Sequence, residues 1–471
     1  MRGVKIVATL GPASAEPATL PRLLAAGVDV VRVNAAHGSA ASHRDAITRT
    51  RAACDTAGRT VGVLVDLPGP KLRTGAVEGD LVHLDTGNPF TLVGGDREVV
   101  GDATRVGTTV PQIATWLRAG DDIFLADGEI VLQATRVVGD DVETEIVRGG
   151  MLRSHKGMHV PSAEVHVDSF GAHDDAALTL ARRVRADFVG VSFVRTADDV
   201  AGVRARLPAR GVRPAIVAKI ETAAALQHLD AIVDAADALM VARGDLGIQV
   251  PARQVPFLQK DIIRAANRAG KPVITATQML ESMTRSPLPT RAEVSDVANA
   301  VIDGTDALML SEETAVGDHP VEAVRTMADI AATAESWPRA TVLPIAGGDE
   351  VDRVGWAVAH ASVLAAEDLQ VAAILCPTAS GTTARRVAAF RPSMPIVGLS
   401  FDPRVLGRLS VMRSVHPLPF ARCTDAETQN RLAVDAARAA AIVKRGDLVA
   451  VVSGAPGRGR GHTDRVRIVR V

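Results

Sequence analysis

Tyrosine is absent from the sequence, and lysine and cysteine are rare, with seven lysines and three cysteines among 471 residues. Without tyrosine, acid–base chemistry by a phenol is excluded. Cys54, Cys376 and Cys423 lie far apart and include no CxxC pair, so we expect no disulfide framework and a reducing, cytoplasmic environment. Because the chain is rich in arginine, each of its few lysines is a candidate for a position where a compact ammonium group is specifically required.

An excess of one charge and a long apolar run are also missing. The 53 basic and 54 acidic residues give a net charge of −1 at pH 7, which argues against a nucleic-acid-binding protein. No stretch of about 18 apolar residues is free of charge, so we expect no membrane span. Residues 1–5 lead directly into an apolar segment, and we expect no signal peptide. The length and the 47% hydrophobic content indicate a soluble α/β enzyme of two or three domains.

Eight short apolar segments, most of them followed by a helical pattern, indicate a TIM-type (β/α)8 barrel. A doubly wound open sheet is the alternative for the same alternation. The segments are residues 4–9, 28–33, 61–65, 188–191, 216–218, 238–241, 273–275 and 307–310.

The third and fourth segments are separated by far more residues than one βα unit needs. Residues 70–156 in this interval have alternating segments and Gly-Asp turns, which are typical of a small all-β domain. We expect an inserted small β-barrel lid domain at the C-terminal face of the main barrel, where barrel active sites lie. The catalytic barrel then comprises residues 1–69 and 157–338.

Residues 339–471 resume an α/β pattern after a segment that contains proline and glycine, and we expect a C-terminal α/β regulatory domain there. The predicted helices are residues 354–366, 382–389 and 426–441, and the predicted strands are residues 372–375, 396–399, 448–452 and 466–471.

Polar residues follow most of the predicted barrel strands. One such residue alone is more typical of a structural ion pair, but so many at one end of a barrel predict a catalytic mouth. The set is Arg32, Asn34, His37, Asp66, Ser192, Arg195, Lys219, Glu221, Arg243, Gly244, Asp245, Thr277, Gln278 and Glu313.

Within that set, Glu221 and Asp245 follow adjacent strands and are candidates to bind Mg2+ or Mn2+, which prefer oxygen ligands. The alternative is that Arg243 neutralises both carboxylates. Lys219 lies two residues before Glu221, so its side chain shares that face of the strand. Beside a divalent metal, a lysine would stabilise an enolate or a transferring phosphoryl group, and a Schiff base is the competing role.

Seven motifs resemble the pyruvate kinase family. They extend over the barrel, and the chain as a whole has the three-domain order of that family. The motifs are KIVATLGPAS at 5–14, SFVR at 192–195, AKIE at 218–221, ARGDLG at 242–247, ITATQMLESM at 274–283, PTRAEVSDVAN at 289–299 and MLSEETA at 309–315.

The resemblance implies phosphoryl transfer from phosphoenolpyruvate to ADP, which gives pyruvate and ATP at the end of glycolysis. It implies that Glu221 and Asp245 bind Mg2+ and that Lys219 stabilises the moving phosphoryl group and the enolate. It further implies that Arg32 holds phosphate and that Thr277 binds substrate and helps to deliver a proton through water. Positioned positive charge is what this reaction needs most.

The resemblance also implies where the rest of the two substrates bind. Arg73 and Lys156 would face the nucleotide from the edges of the lid, together with Asn34 and His37. The backbone N–H groups of Ala242, Arg243 and Gly244 would bind the substrate carboxylate.

The potassium site of the family is altered in this sequence. Asn34 and Asp66 are kept, but Ala36 and Leu67 replace a serine and a threonine, and Lys71 replaces a glutamate. A subgroup of the family that does not depend on monovalent cations is similar at these positions. We therefore predict activity without K+, with Lys71 as the internal cation. The alternative is that Lys71 is a surface lysine at the lid hinge.

Two further departures concern the lid and the eighth strand. Ala126 replaces an aspartate of the lid, which is expected to slow lid closure, and residues 311–314 read SEET where the family has SGET. Neither removes an inferred metal ligand or Lys219.

The third domain contains a candidate effector site for a sugar phosphate or a nucleotide, because hydroxyl groups open a predicted helix and a flexible basic loop follows later. A surface turn with a basic tail is the alternative. The resemblance also implies a homotetramer. The candidate effector residues are Thr378, Ser380, Thr382, Thr383, Arg458 and Arg460.

Two other functions remain open from the residues. A Mg2+-dependent lyase or aldolase that works through a pyruvate enolate would use the same mouth but would need no ADP. A sensor that binds phosphate metabolites without turnover is compatible with the altered lid and cation site. Titration of ADP separates the first alternative from a kinase, and a Lys219→Met variant tests turnover.

Overall fold

The computed structural model describes residues 2–69, 72–126, 128–160, 170–207, 213–337, 344, 348–455 and 462–471. Three buried parallel strands and two helices open the chain. They are β1 Lys5–Thr9, α1 Thr19–Ala26, β2 Val30–Asn34, α2 Ala40–Ala57 and β3 Gly62–Asp66.

The segment that follows β3 forms a separate β unit. A six-stranded sheet, in the order β11-β7-β8-β9-β5-β6, and a two-stranded sheet of β10 and β4 surround one apolar core. The elements are β4 Leu81–Leu84, β5 Pro89–Val93, β6 Arg105–Gly107, α3 Ile113–Trp116, β7 Asp122–Leu125, β8 Ile130–Val138, β9 Asp141–Arg148, β10 Gly150–Arg153 and β11 Met158–His159.

The chain then returns to the barrel for five more strands. These elements are α4 Ala172–Arg183, β12 Phe188–Val191, α5 Ala197–Arg206, β13 Ala215–Ile220, α6 Ala223–Gln227, α7 Leu229–Ala235, β14 Ala238–Ala242, α8 Arg243–Gln249, α9 Val255–Arg268, β15 Val273–Ala276, α10 Arg291–Asp303, β16 Ala307–Leu310, α11 Glu312–Ala315 and α12 Pro320–Glu335.

Eight parallel strands close into one barrel in the order β1-β16-β15-β14-β13-β12-β3-β2. The closure confirms the predicted (β/α)8 barrel and rules out the open sheet. Almost every residue of these strands is buried, since the inner side chains fill the barrel and the outer ones pack against helices. The carboxyl ends of all eight strands therefore meet at one mouth.

Aspartates stand directly before four of the barrel strands, at the end opposite the mouth. Each accepts a hydrogen bond of 2.8 to 3.0 Å from a backbone N–H at or near the start of a neighbouring strand, which helps to fix the register at this end of the barrel. The four are Asp29, Asp187, Asp237 and Asp306.

The third unit is a five-stranded sheet in the order β19-β18-β17-β20-β21, in which β21 alone is antiparallel. The predicted boundaries near residues 70 and 338 fall outside the described residues and stay predictions. The elements are α13 Glu350–Asp368, β17 Ala373–Pro377, α14 Thr382–Ala389, β18 Ile396–Ser400, α15 Pro403–Leu409, β19 Val415–Pro419, α16 Ala426–Ala439, β20 Leu448–Ser453 and β21 Arg465–Arg470.

Sequence analysis did not predict α15 and β19. Two prolines lie in β19, and proline is tolerated in a sheet only at an edge, where β19 in fact lies. The short α15 packs against the bottom of the barrel so closely that a Cβ on Gly407 would overlap the carboxylate of Asp187. The third unit therefore contacts the end of the barrel away from the mouth.

None of the helices in the described part of the chain combines the length and apolar character that a membrane crossing requires.

Candidate active site

Lys219 is the centre of a buried charged cluster at the mouth. Its Nζ donates a hydrogen bond of 2.7 Å to Ser192 Oγ and lies 3.2 Å from Glu221 Oε2 and 3.6 Å from Asp66 Oδ2. Ser192 in turn donates to the backbone oxygen of Leu67 at 2.7 Å. The ends of β3, β12 and β13 thus bring together one ammonium, one hydroxyl and two carboxylates.

The charge state of Lys219 follows from its neighbours. Burial by itself would lower the pKa of Lys219, but the carboxylates of Asp66, Glu221 and Asp245 outweigh burial and raise that pKa above its ordinary value. An ammonium that stays protonated is a cation and not a nucleophile. This favours charge stabilisation over the Schiff-base role for Lys219.

Arg32 is fixed by Asp66 beneath the mouth. Its Nε and one terminal nitrogen donate to Asp66 Oδ2 at 3.0 and 2.6 Å, and the other terminal nitrogen donates to Thr9 Oγ1 at 3.1 Å. Burial would raise the pKa of Asp66, but Lys219 and Arg32 together lower it, so the carboxylate stays ionised. Gly190 makes room for this carboxylate, because a Cβ there would lie 3.2 Å from the Asp66 carboxyl carbon.

Glu221 is completely buried, and one of its oxygens remains without a hydrogen bond. Its Oε1 accepts a bond of 2.6 Å from the backbone N–H of Phe193, whereas Oε2 forms only the ion pair with Lys219 among the described residues. Burial raises the pKa of Glu221 to about 7, and the nearby Asp245 contributes to that shift. A carboxylate in this position is suited to a cation brought in from solution.

Asp245 lies in the first turn of α8, next to Glu221 across adjacent strands. Arg243 does not neutralise this pair, because its guanidinium is directed at Asp296 at 2.7 Å and at the backbone oxygen of Thr277 at 2.6 Å. No group of three or more His, Cys, Asp or Glu side chains able to hold a metal occurs within the described ranges. Two carboxylates, with substrate and water as further ligands, fit Mg2+ or Mn2+.

Thr277 lies in a strained loop after β15. Its φ is 68° and that of Gln278 is 52°, a region that a β-branched residue such as threonine rarely occupies. The hydroxyl of Thr277 accepts from Gly244 N at 2.8 Å and donates to the oxygen of Ala276 at 2.6 Å. These bonds and the Arg243 contact hold the threonine beside the start of α8.

Glu313 was included in the predicted set of mouth charges, and the structure shows it in a supporting position. Its two oxygens accept hydrogen bonds from the backbone N–H groups of Leu280 at 3.1 Å and Ser311 at 2.7 Å. Burial raises the pKa of this carboxyl group. Glu313 therefore ties the loop that follows β15 to the end of β16.

Arg73 and Lys156 lie side by side where the chain enters and leaves the lid. Arg73 pairs with Gly157 across an antiparallel bridge, and Thr74 N donates to the oxygen of Lys156 at 2.9 Å. Close to this junction, Ala126 N donates to the oxygen of Gly157 at 3.0 Å, and a Cβ on Gly128 would lie 3.8 Å from Ile248 of α8. This edge of the lid therefore approaches α8, the helix that contains Asp245.

Asn34 and His37 follow β2 at the same mouth. The Asn34 side-chain oxygen accepts a hydrogen bond of 3.1 Å from Ala36 N, and the backbone oxygen of His37 lies 2.7 Å from His43 Nε2. Asn34 is half-buried and His37 is exposed, whereas the neighbouring Asp66 is buried.

The candidate effector turn of the third unit uses several of its own hydroxyls. Thr378 Oγ1 accepts from Gly381 N at 2.9 Å, Ser380 and Thr382 share a bond of 2.9 Å, and the buried Thr383 is bonded to Thr463 at 2.8 Å. Lys71, Arg458 and Arg460 lie outside the described residues.

Three contributors to the site were missed by sequence analysis. The Thr9 hydroxyl accepts from Arg32, the Phe193 N–H donates to Glu221, and Gly190 leaves space for Asp66. Thr9 and Phe193 stand inside the quoted motifs, but a motif does not say which of its atoms face the site.

Two family comparisons match most of the chain. Residues 1–324 match the family described as "Pyruvate kinase, barrel domain", and residues 356–469 match that described as "Pyruvate kinase, alpha/beta domain". The matched regions correspond to the closed barrel with its lid and to the five-stranded third unit.

Full-length relatives named pyruvate kinase are similar to this chain. A relative from Geobacillus stearothermophilus is 40% identical over 99% of this chain and 80% of its own length. One from Thermotoga maritima is 36% identical over the whole of both chains, and one from Mycobacterium tuberculosis is 39% identical over 99% of this chain and 98% of its own. The buried Lys219–Glu221–Asp66 cluster stands within the matched barrel, and the chain belongs to the pyruvate kinase family.

Proposed function

We propose that the protein is an active pyruvate kinase that transfers a phosphoryl group from phosphoenolpyruvate to ADP, giving pyruvate and ATP, in a Mg2+-dependent and K+-independent reaction. The observation that carries this proposal is the arrangement of Lys219 between Ser192, Glu221 and Asp66 at the mouth of the barrel. The family membership of the whole chain supports it.

The chemistry requires stabilised negative charge more than a covalent intermediate. An oxygen of the ADP β-phosphate attacks phosphorus, the bond from phosphorus to the enol oxygen breaks, and the electron pair remains on the pyruvate enolate. The protonated Lys219 is placed to stabilise the phosphoryl oxygens and the enolate during that step. Arg32, held by Asp66 and Thr9, is oriented to bind the phosphate.

Glu221 and Asp245 would hold the Mg2+ or Mn2+ ion, and the unbonded Glu221 Oε2 supports this role. When bound, the ion supplies positive charge that orients and polarises phosphoryl oxygens. The first-turn N–H groups of α8, at Arg243 and Gly244 with Ala242 before them, are proposed to bind the substrate carboxylate beside Asp245.

The enolate must then gain a proton at its methylene carbon to become pyruvate. The Thr277 hydroxyl already accepts from Gly244 N and donates to the Ala276 oxygen, so it is placed to orient a water that delivers this proton. Asn34, His37, Arg73 and Lys156 are proposed to bind the nucleotide from the β2 loop and the lid edge.

The decisive experiment measures pyruvate formation from phosphoenolpyruvate, ADP and Mg2+, with ADP omitted in parallel. We expect turnover that requires ADP, a loss of about a thousandfold in kcat for Lys219→Met, and no change for Lys444→Met, an exposed lysine remote from the mouth. Pyruvate formed without ADP would favour the lyase reading, and binding of phosphoenolpyruvate without turnover would favour the sensor.

K+ independence is supported by the residues that replace the potassium ligands. Ala36 has no hydroxyl group to bind a cation, and its backbone N–H donates a hydrogen bond to the side-chain oxygen of Asn34. The carbonyl oxygen of Leu67 already accepts a hydrogen bond from the Ser192 hydroxyl. Asp66 is neutralised by Arg32 and Lys219. We propose that Lys71 supplies the remaining positive charge.

Rates in tetramethylammonium buffer with and without K+ test this part of the proposal. We expect equal rates for the native protein and a new K+ requirement for Lys71→Glu, with Lys444→Glu as the matched control. A clear K+ requirement of the native protein would contradict the role of Lys71 while leaving the kinase assignment intact.

The regulatory and cellular expectations are part of the same proposal. A sugar phosphate or nucleotide is proposed to bind at the turn formed by Thr378, Ser380, Thr382 and Thr383, together with Arg458 and Arg460. We also propose a homotetramer in the cytoplasm, and sedimentation of the purified full chain tests the assembly.

A further inference from the structure

A cavity of about 730 Å³ lies at the end of the barrel opposite the mouth, where α15 of the third unit packs against the barrel. Its walls are the C-terminal part of α2, the start of β3, the loop before β12 and the first turns of α15. Because β3 and β12 have their carboxyl ends at the mouth, this cavity is separated from the candidate active site by the length of those strands.

Seven charged side chains are among the residues that line the cavity. Four guanidinium groups line it, from Arg51, Arg59, Arg185 and Arg404, and they face three carboxylates, from Asp55, Asp187 and Asp402.

Two of the carboxylates are already occupied within the protein. Asp402 caps α15 and pairs with Arg404 at 3.4 Å. Asp187 accepts a hydrogen bond of 2.8 Å from Val63 N, and burial raises its pKa to about 7. The fixed negative charge that faces the remaining arginines is therefore small.

Arg51 and Arg185 form no ion pair with any residue that the structure describes. Arg51 donates to the backbone oxygen of Arg185 at 3.0 Å and is otherwise directed to the cavity. Arg59 donates hydrogen bonds to the backbone oxygens of Leu24 and Val28. It therefore adds positive charge to the cavity but has fewer N–H groups left to bind a ligand. Two accessible guanidinium groups at one cavity are donors suited to phosphate, because each can bind phosphate oxygens through paired N–H groups.

We propose that this cavity binds a small, non-aromatic phosphate ester that carries hydroxyl groups, such as a phosphorylated sugar. Arg51 and Arg185 would bind the phosphate, and Asp55 with the hydroxyl of Thr60 would form hydrogen bonds with the ligand hydroxyls. None of the described residues around the cavity is aromatic, so a stacked nucleotide base is not favoured. The site is distinct from the turn at residues 378–383 and does not depend on the proposed catalytic function.

Calorimetric titration of the full chain with a hexose 6-phosphate, in the presence of saturating phosphoenolpyruvate and Mg2+, tests the proposal. We expect binding that weakens at least tenfold in Arg51→Gln and in Arg185→Gln. The exposed Arg325 of α12 does not line the cavity, and Arg325→Gln should bind as the native protein does. Arg51→Lys and Arg185→Lys, which keep the charge, should recover part of the affinity if folding is intact by circular dichroism.

Hydrogen–deuterium exchange locates the bound hexose 6-phosphate independently of the variants. Protection is expected in peptides that cover residues 50–61 and 403–407. Native-like affinity in both glutamine variants, no binding at millimolar ligand, or protection confined to residues 378–383 would each overturn the proposal. Tighter binding of AMP through the same two arginines would overturn the non-aromatic ligand class, and equal binding of the unphosphorylated hexose would overturn the role of the phosphate.

Discussion

At Gly190, the addition of a single methyl group should disturb the active site without replacing any charged residue. It pairs with Asp66 in the register of β12 and β3, and a Cβ there would come within 3.2 Å of the Asp66 carboxyl carbon and closer still to Oδ1. Ordinary Cβ contacts begin near 3.4 Å. In Gly190→Ala, the carboxylate must therefore retreat by roughly 1 Å.

That retreat should reduce catalysis more than stability. Asp66 holds Arg32 through two hydrogen bonds and faces Lys219 at 3.6 Å, so its displacement should shift both cations from their positions at the mouth. We expect kcat to fall about a hundredfold, the usual effect of a misplacement of this size. The overpacked core should cost about 1 to 3 kcal/mol of unfolding free energy.

The assay measures pyruvate formation beside urea unfolding, with Gly202→Ala as the matched control. Gly202 lies in α5, where an added Cβ meets only the end of Arg206 at 3.6 Å. That control should keep full activity and gain up to about 1 kcal/mol, because alanine favours a helix. Native kcat in a folded Gly190→Ala protein would refute the argument that Asp66 positions Arg32 and Lys219.

Three further outcomes are expected. Ser192→Ala removes the hydroxyl that lies 2.7 Å from Lys219 Nζ and should lower kcat by about tenfold or more. Ser192→Thr keeps a hydroxyl and is the control, and native kinetics in Ser192→Ala would contradict a positioning role for Ser192. Burial raises the folded-state pKa of Asp187 from 3.8 to about 7, so the unfolded state ionises first and up to roughly 4 kcal/mol of stability is lost progressively as pH rises from about 4 to about 7. Urea unfolding of Asp187→Asn should lose that pH dependence and Asp237→Asn should keep it, whereas an unchanged pH profile in Asp187→Asn would contradict the argument. Ala126 has a φ of 51°, so Ala126→Gly should raise the unfolding free energy by about 1 kcal/mol. Gly128 has a φ of 88°, so Gly128→Ala should lower the unfolding free energy. A less stable Ala126→Gly protein together with a more stable Gly128→Ala protein would exclude backbone strain in this turn.

Local pattern was sufficient for the barrel strands because they are short, apolar and buried on both faces, and the eight predicted segments match the eight strands of the closed barrel. It was insufficient for β19, whose two prolines argue against a strand until the edge position is known. The same holds for α15, which is seven residues long and is stabilised by its contact with the barrel.

The candidate site shows the same division. Spacing alone placed Lys219, Glu221 and Asp245 at one mouth, since the carboxyl ends of parallel strands share one face of a barrel. It did not reveal that Arg243 pairs with Asp296 and so does not neutralise Glu221 and Asp245. Nor did it reveal that Glu313 accepts hydrogen bonds from two backbone N–H groups. Those partners come from elements that are distant in sequence.

The sequence by itself determined the family, the order of the elements and the residue types at the mouth, because long motifs and hydrophobic periodicity are local properties of the chain. Only the tertiary structure decided the protonated state of Lys219 among three carboxylates, the need for a glycine at position 190, and the arginine-lined cavity beneath the barrel. Each of these depends on distances between residues far apart in the chain, and such distances exist only once the barrel has closed and the third unit has docked.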